Sequence, residues 1–348
     1  MPSPTLPMQL GDVTTNPLLT QISVLTYQKV NPVAPRIFKS IPVDNQVGHF
    51  FRYPRGTFFR SQIRRAGPGS RPPRTALNRV LSTYQTDVYH VAHDIPDMLR
   101  YNQQGGALSL VDLERTATFK VTDELVRGLD DLWFQTFFKA GIWGANYAGV
   151  ASGPNASQFI QFDQAASNPI DTVQRILIER ARATGVKLNT AVIDPMTFQV
   201  IINHPLVKAQ IQYTQRTIAG ETLTPELLAQ TWGIKEVIVP DTVVNKGDDM
   251  SDDNPAVGSG GMDFITASGG MTRGIFLGYV PDSPAEDQPA CGYTFLWRYG
   301  GTANDQGIRI SDWYDNETST TTIKGEAALG YTQVSPELGV VLSAPIGF

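Results

Sequence analysis

Hydrophobic and polar positions alternate most regularly between residues 108 and 140. Apolar residues recur there every three or four positions, which is the period of one face of an α-helix. The apolar positions are Leu110, Leu113, Ala117, Val121, Leu125, Leu129, Leu132 and Phe137. Charged residues fill much of the other side, and no proline interrupts the pattern. It predicts one helix of about 30 residues and about 45 Å, which needs a long surface such as a sheet to pack against.

Prolines divide the first 45 residues into short apolar pieces. Proline at this density is incompatible with a long helix or a central strand, while the apolar content is too high for a plain disordered tail. Residues 1–45 are therefore predicted to form an extended arm that lies on its own surface or on a neighbour's. The prolines are Pro2, Pro4, Pro7, Pro17, Pro32, Pro35 and Pro42.

Residues 46–86 carry eight arginines and no acidic residue. Their two ends, 47–53 and 80–84, have the composition of strands, and the middle, 66–74, reads AGPGSRPPR. This pattern predicts a long two-stranded loop with a basic tip. Because an isolated hairpin is only marginally stable in water, we expect the loop to lie on another subunit.

Helix and strand patterns alternate between residues 165 and 245, which is typical of a compact mixed lobe. Residues 141–168, rich in Gly, Ala and Asn, are predicted to be the linker that precedes it. From Phe264 onwards strand patterns dominate, and the last of them, 339–342, is expected to close a sheet begun much earlier. Proline suits the first position of a helix, and the predicted helix starts are Pro169, Pro195, Pro205 and Pro225.

Composition narrows the class of protein. The chain has 348 residues and a formal net charge of −5, so the molecule as a whole is not attracted to nucleic acid or anionic membranes. The single cysteine, Cys291, excludes an intrachain disulfide framework. No lysine or arginine occurs between Met1 and Gln28, and no apolar run approaches the roughly 18 residues that span a bilayer. These features predict a protein of the reducing cytoplasm with no membrane partner.

Catalytic and metal-binding signatures do not occur in the sequence. His90 and His93 have an odd spacing that places them on opposite faces of a strand, so they cannot chelate together. Cys291 lies in an apolar strand pattern, which is typical of a buried side chain and not of a nucleophile. The acidic loop 248–253 lacks the spacing of a calcium loop, and no P-loop, HExxH or GxSxG motif occurs. The sequence predicts no cofactor, no metal site and no catalytic residue.

The arginines of the loop are the strongest local signal. They could contact the phosphates of a nucleic acid, with aromatics such as Phe58 and Phe59 stacking on bases, or pair with acidic groups of a neighbouring subunit. The acidic net charge favours the protein contact. The candidate intersubunit residues are Arg55, Arg60, Arg64, Arg65, Arg71 and Arg74 on the loop, and Asp123, Glu124, Asp130 and Asp131 on the long helix.

The parts follow one another in a characteristic order: an arm, a long two-stranded loop, a strand leading into a very long helix, a mixed lobe and a late return of strands. This order resembles the major capsid protein of tailed double-stranded-DNA bacteriophages, the Hong Kong 97 type. Three stretches also look like segments that such coat proteins carry at these places. They are TYQTDVYHVAHDIPDML at 83–99, AVIDPMTFQVIINHPLVKAQI at 191–211 and GIKEVIVPDTVV at 233–244.

The resemblance implies an α+β fold and a division of the chain into five segments. These segments are the N-terminal arm (1–45), the extended loop (46–86), a peripheral domain with a spine helix at 108–140 (87–164), a mixed axial domain (165–275) and strands that return to the peripheral domain (276–348).

By the same resemblance, the chain is expected to self-assemble into hexamers and pentamers of an icosahedral shell around double-stranded DNA, without enzymatic activity or cofactor. The expected partners are other copies of the chain, a portal and a separate scaffolding protein, with a decoration protein as a further candidate. The expected location is the virion, assembled in the cytoplasm of a host bacterium. Some members crosslink a loop lysine to a neighbour, but no lysine occurs here between Lys39 and Lys120, so no such crosslink is predicted.

Two other functions fit the sequence. One is an encapsulin-type compartment, which has the same fold but encloses cargo proteins. The other is a cytoplasmic enzyme or nucleic-acid-binding protein of mixed fold. The contents of isolated particles would separate the first from a virus capsid. A small oligomer whose melting temperature rises with a ligand would indicate the second.

Overall fold

A computed structural model gives the fold and describes residues 14–15, 32–52, 63, 65, 71, 74, 78–103, 110–214, 224–247, 257, 261–271, 273–284, 288–298 and 307–347. Most of the predicted arm, part of the predicted loop and the acidic loop 248–253 lie outside the described residues. The described part combines helices and strands, and the predicted α+β class is confirmed.

Seven α-helices occur in the described residues. They are α1 (Ala34–Ile37), α2 (Asp97–Gln103), α3 (Leu110–Phe137), α4 (Pro169–Thr184), α5 (Pro195–Asn203), α6 (Pro205–Thr214) and α7 (Pro225–Trp232). The strands are β1 (Thr14–Thr15), β2 (Lys39–Val43), β3 (Val47–Arg52), β4 (Val80–Gln85), β5 (Asp87–Pro96), β6 (Ala145–Val150), β7 (Gln158–Ile160), β8 (Thr190–Ile193), β9 (Glu236–Ile238), β10 (Val243–Asn245), β11 (Met262–Phe264), β12 (Ile275–Gly278), β13 (Gly292–Trp297), β14 (Ile308–Asp315), β15 (Thr320–Gln333) and β16 (Gly339–Ser343).

The first sheet is built around the long strand β15. Its six strands follow the order β1-β14-β15-β13-β2, and β5 also pairs with β15. Thr321 of β15 pairs with Tyr314 of β14 and with Ile95 of β5, so these two strands flank β15 on opposite sides. Strand β2 joins the sheet through a parallel pairing with β13, in which Ser40 lies opposite Thr294.

The second sheet has the order β7-β6-β16-β12-β8-β9. Its strand β16 comes from the C-terminal part of the chain and lies between β6 and β12, parallel to the first and antiparallel to the second. This arrangement confirms the prediction that the last strand closes a sheet begun much earlier. Strands β3 and β4 form a separate two-stranded hairpin, and β10 and β11 form another small sheet.

Helix α3 lies within the predicted range 108–140 and connects the two sheets. Its middle turns pack on the first sheet, where Leu125 and Leu129 belong to the same buried cluster as Ile323 of β15. Its last turns pack on the second sheet, where Trp133 meets Phe276 with ring centroids 5.9 Å apart. Glycine at position 325 allows this close approach, because a Cβ there would lie 2.8 Å from a methyl carbon of Val121.

The helix starts predicted from proline are confirmed for α4, α5, α6 and α7. Side chains cap α4 and α5 and satisfy backbone N–H groups that the helix itself leaves unpaired. Asn168 Oδ1 accepts from the N–H of Asp171 at 3.2 Å, and Asp194 Oδ2 accepts from the N–H of Met196 at 3.0 Å. Gly185 ends α4 with φ 76°, a conformation that glycine adopts without strain.

Two expectations from the sequence differ from the structure. The predicted linker 141–168 contains strands β6 and β7, which are poor in β-branched residues and form a sheet by pairing with β16 and with each other. The segment 276–348 is divided between the sheets, because β13, β14 and β15 lie in the first and β16 in the second. Strand β16 is buried along most of its length, because it lies between β6 and β12 inside the second sheet.

Candidate intersubunit contact surface

The hairpin formed by β3 and β4 corresponds to the two ends of the predicted basic loop. It is attached to the first sheet by aromatic contacts on one face. The ring of Tyr84 stacks on Phe295 of β13 with centroids 4.2 Å apart, and Phe50 lies 5.8 Å from the same ring. At its base, the N–H of Thr86 donates to the carbonyl oxygen of Gln46 at 2.9 Å. These contacts hold the hairpin by its inner face.

The outer face of the hairpin exposes three apolar side chains, although the guanidinium of Arg79 lies 5.6 Å from the centroid of the Phe51 ring. Side chains alternate along a strand, so Phe51 and its cross-strand partner Leu81 lie opposite the face that contacts Phe295. Phe51 is 56% exposed, Leu81 57% and Val47 58%. Since apolar surface is favourable to bury, this face is a candidate contact with another molecule.

Three of the six predicted loop arginines lie in the described residues. Arg65, Arg71 and Arg74 are all exposed. Arg55, Arg60 and Arg64 lie outside the described residues.

The predicted acidic partners on α3 do not share one environment. Glu124 is exposed, Asp123 pairs with Arg127 one turn along at 2.6 Å, and Asp131 Oδ2 accepts from the side-chain amide of Gln135 at 2.6 Å. Of these three carboxylates, Glu124 is exposed, whereas Asp123 and Asp131 are partly buried.

Asp130 is a correction to the predicted set. Its side chain is 3% exposed, so it cannot meet an arginine of a neighbour while the chain is folded. Asp130 Oδ2 accepts from the N–H of Val33 at 2.8 Å, and Oδ1 accepts from the N–H of Ala34 at 3.0 Å. The carboxylate therefore attaches the last part of the predicted arm to the long helix.

The sequence contained a signal for this role. Asp130 lies four residues after Val126 and three before Trp133, so it falls on the buried stripe of the helix and not on the charged side. Burial raises the pKa of Asp130 to about 6, although the two N–H donors act in the opposite direction. A buried carboxylate with two backbone donors is a structural connection between segments.

The segment that Asp130 holds is anchored a second time by Phe38. This side chain is fully buried, with its ring centroid 4.9 Å from Phe137 and 5.7 Å from Trp133. The sequence predicted only an extended arm here, and missed that residues 32–40 belong to the core. The sequence does not show that Phe38 packs against Trp133 and Phe137, because neither the aromatic residues at the end of α3 nor the prolines of the arm indicate which segments pack together.

No catalytic arrangement emerges among the described residues. No group of three or more His, Cys, Asp or Glu side chains there could hold a metal ion. Cys291 is fully buried, and burial raises its pKa to about 12, which makes the thiol a poor nucleophile. None of the described helices is both long enough and apolar enough to cross a membrane.

Comparisons with known proteins identify the fold. Neither a family model nor a curated protein sequence matches the chain. A phage-related protein from Bordetella bronchiseptica RB50 superposes with a TM-score of 0.67 at 15% identity, over 97% of this chain and 99% of that one. The capsid of cyanophage P-SCSP1u gives 0.54 at 9% identity, over 90% and 88%. A virus-like particle from Pyrococcus furiosus gives 0.52 at 10% identity, over 94% and 98%.

These similarities extend over nearly the whole length of each chain, whereas the sequences share few residues. They therefore concern the fold and not the details of any site. The chain has the Hong Kong 97 type fold of tailed-phage major capsid proteins.

Proposed function

We propose that this protein is the structural subunit of an icosahedral capsid, built from hexamers and pentamers and enclosing double-stranded DNA. The observation that carries the proposal is the hairpin, whose outer face exposes Val47, Phe51 and Leu81 in the isolated chain. Burial of these exposed side chains between copies of the chain would stabilise a shell built from a fold of this type.

The energetics favour a large contact. Burying apolar surface contributes roughly 25 cal/mol per Å², and obligate interfaces bury on the order of 2,000 Å² or more. The exposed arginines Arg65, Arg71 and Arg74 would then pair with carboxylates of the neighbour, and Asp123, Glu124 and Asp131 are the accessible ones on α3. Single exposed ion pairs contribute little, so these pairs select the orientation of the hairpin while apolar burial supplies most of the stability.

The proposed partners follow from a DNA-filled shell. Other copies of the chain form the hexamers and pentamers, a portal occupies one vertex, a separate scaffolding protein directs assembly and a decoration protein is a further candidate. The proposed location is the virion, with assembly in the cytoplasm of a host bacterium. The subunit itself would catalyse no reaction.

Electron microscopy of the purified chain in negative stain, with sedimentation velocity, tests the proposal. We expect closed polyhedral particles or hexameric sheets and tubes. A stable species of one to four chains at all salt and protein concentrations would contradict the proposal. That outcome would favour the cytoplasmic enzyme or nucleic-acid-binding protein.

A compartment that encloses cargo proteins is the second candidate, because the fold is also found in a virus-like particle. The contents of isolated particles distinguish a capsid from such a compartment. Particles from an infected host should contain nuclease-protected double-stranded DNA if the chain is a capsid protein. Particles with a co-purifying enzyme and no nucleic acid would identify a compartment.

A further inference from the structure

A cavity lies between the long helix α3, the segment 32–40 and strands β13 and β15 of the first sheet. It has a volume of about 230 Å³. Most of the described residues that line it are apolar, and none of them is a lysine, arginine or histidine. The apolar lining includes Pro32, Phe38, Val126, Leu129, Leu296 and Leu329.

The size of the cavity defines the kind of molecule that it can hold. An apolar cavity of about 150 Å³ is large enough to bind benzene, so this one has room for a single ring with a short substituent. Water is a poor occupant of an apolar space, because it needs about two to four polar partners. Pro35, Ser40 and Tyr331 of the lining are only partly buried, so the cavity lies close to the molecular surface on their side.

Asp130 is the one charged residue among the described residues that line the cavity. It lies one helical turn after Val126, on the same face of α3. Its carboxylate reaches across to the backbone N–H groups of Val33 and Ala34, which belong to the opposite wall. The carboxylate therefore spans two walls of the cavity.

This carboxylate has the capacity for a further donor. Each of its oxygens accepts one backbone N–H, at 2.8 and 3.0 Å, and a carboxylate oxygen can accept two hydrogen bonds. A buried charge is costly unless it is paired. Burial raises the pKa of Asp130 to about 6, which indicates that the two N–H donors compensate only in part. The group is mostly ionised at neutral pH, so a cation in the cavity would be favourable.

Two hydroxyl groups lie on the strand side of the cavity. Ser40 of β2 and Thr294 of β13 are opposite each other in the parallel pairing of these strands. Thr294 Oγ1 donates to the carbonyl oxygen of Phe38 at 3.0 Å, so its oxygen can still accept a hydrogen bond. An ammonium group has three donors, which matches a set of one carboxylate and two hydroxyl acceptors.

We propose that this cavity binds a small molecule with a primary ammonium group on an apolar body the size of one ring. The apolar lining holds the ring, and the ammonium donates to the carboxylate of Asp130. The inference goes beyond the proposed function, because the site lies within one subunit and requires no second copy. A bound amine contacts α3, the segment 32–40 and the first sheet at once, so it stabilises the attachment of that segment to the helix.

Three probes of similar shape and different charge test the ligand chemistry. Benzylamine, benzyl alcohol and phenylacetate are titrated into the purified chain at neutral pH and followed by calorimetry and by thermal melting. We expect benzylamine to raise the melting temperature and to bind about tenfold more tightly than benzyl alcohol, because hydrogen bonds between charged groups are the stronger ones. Phenylacetate should not bind, since its carboxylate would meet that of Asp130. No binding of benzylamine, or equal binding of benzylamine and either other probe, would overturn the inference.

Val126→Phe places a ring inside the cavity and locates the binding site. The variant should melt at the temperature of the wild type or above it, and benzylamine should no longer bind. The matched control is Thr136→Phe, which adds a ring at an exposed position of the same helix outside the cavity and should bind benzylamine normally. If Val126→Phe does not fold, Val126→Leu adds one carbon atom and should weaken the binding. Wild-type affinity in the folded Val126 variant would assign the binding to another site and overturn the inference.

Asp130→Asn tests the role of the carboxylate, because it keeps the shape of the side chain and removes the charge. We expect benzylamine to lose its advantage over benzyl alcohol, while benzyl alcohol binds as it does to the wild type. An unchanged preference for benzylamine would overturn the ammonium site. These measurements do not depend on assembly, so a failure to form particles would contradict the proposed function alone.

Discussion

Asp130 illustrates how one side chain connects distant parts of this chain. It joins α3 to Val33 and Ala34 through two hydrogen bonds, and it does so from a buried position. Burial of a charge is costly unless it is paired, and two backbone donors compensate only in part. The raised pKa, about 6, reports this residual cost. The attachment of the arm to the helix should therefore respond to pH.

The sign of the pH dependence follows from the pKa of Asp130 in the folded and in the unfolded chain. The unfolded carboxyl titrates near pH 4, while the folded one titrates at about 6. The folded state therefore favours the protonated carboxyl of Asp130. Its contribution to the free energy of unfolding is complete below pH 4 and is lost as the pH rises through 6. The difference between the two pKa values corresponds to about 3 kcal/mol. We expect Asp130→Asn to remove this pH dependence when urea unfolding of the unassembled subunit is measured from pH 4 to 7.

The matched control is Asp123→Asn, which changes an acidic residue on the surface of the same helix. It should keep the pH profile of the wild type. If Asp130→Asn kept that profile as well, the carboxyl of Asp130 would not be the group that titrates, and the prediction would be wrong.

His204 should act in the opposite direction. The N–H of Leu206 donates to its Nδ1 at 3.3 Å, and its Nε2 lies 3.2 Å from Ser167 Oγ. Burial lowers the pKa of His204, although a backbone contact with Gln164 raises it in part. The folded state thus favours the neutral ring, and stability falls as the pH drops below about 6.5.

His204→Asn tests this second response, because the asparagine oxygen can replace Nδ1 as acceptor for Leu206 and does not titrate. We expect a flatter dependence of the unfolding free energy on pH between 7 and 5 than in the wild type. His90→Asn, at an exposed strand position, is the control and should leave the slope unchanged. An equal slope in His204→Asn and in the wild type would contradict the assignment.

At the scale of elements, the predicted arm has a buried end at residues 32–40, whereas of residues 1–31 only the short strand β1 is described, paired with β14. Residues 32–40 carry Phe38 and the two donors to Asp130, so they belong to the core. A chain lacking residues 1–40 should not fold, because losing a buried phenylalanine alone costs roughly 3–5 kcal/mol. A chain lacking only residues 1–31 should fold, with a melting temperature close to that of the wild type, but should fail to assemble.

Circular dichroism melting and electron microscopy of the two truncated chains check this division. A folded chain without residues 1–40 would contradict the role of Phe38 as an anchor. Normal particles from the chain without residues 1–31 would contradict the contribution of the arm to assembly.

Elements with strong local signals could be predicted from the sequence. The spacing of Leu125, Leu129 and Leu132 predicts α3, and Pro169 with Gly185 delimits α4. Strands β6 and β7 could not be predicted, because ANYAGV has little strand preference of its own. Gly149 in β6 allows a close approach instead, since a Cβ there would lie 2.0 Å from the carbonyl oxygen of Ala344.

The candidate site shows the same limit at the scale of the whole molecule. Sequence alone located an arginine-rich loop and acidic residues on α3, but it could not separate the buried Asp130 from its accessible neighbour Asp131 by charge alone. Nor could it place the hairpin, because Tyr84 and Phe295 come together only when β4 packs beside β13. Which strands meet is decided by non-local pairing, and a single sequence contains little information about it.

The non-local pairing also means that some strands are synthesised long before their partner strands. Thr294 Oγ1 donates to the carbonyl oxygen of Phe38, 256 residues earlier in the chain, and Ser343 Oγ donates to the carbonyl oxygen of Tyr147, 196 residues earlier. A ribosome adds about 5–20 residues per second, so β2 and β6 wait on the order of 10–50 s for their partner strands. Their apolar side chains are unprotected during that interval. The nascent chain is therefore expected to need a holding chaperone, and the yield of folded protein to depend on the speed of translation.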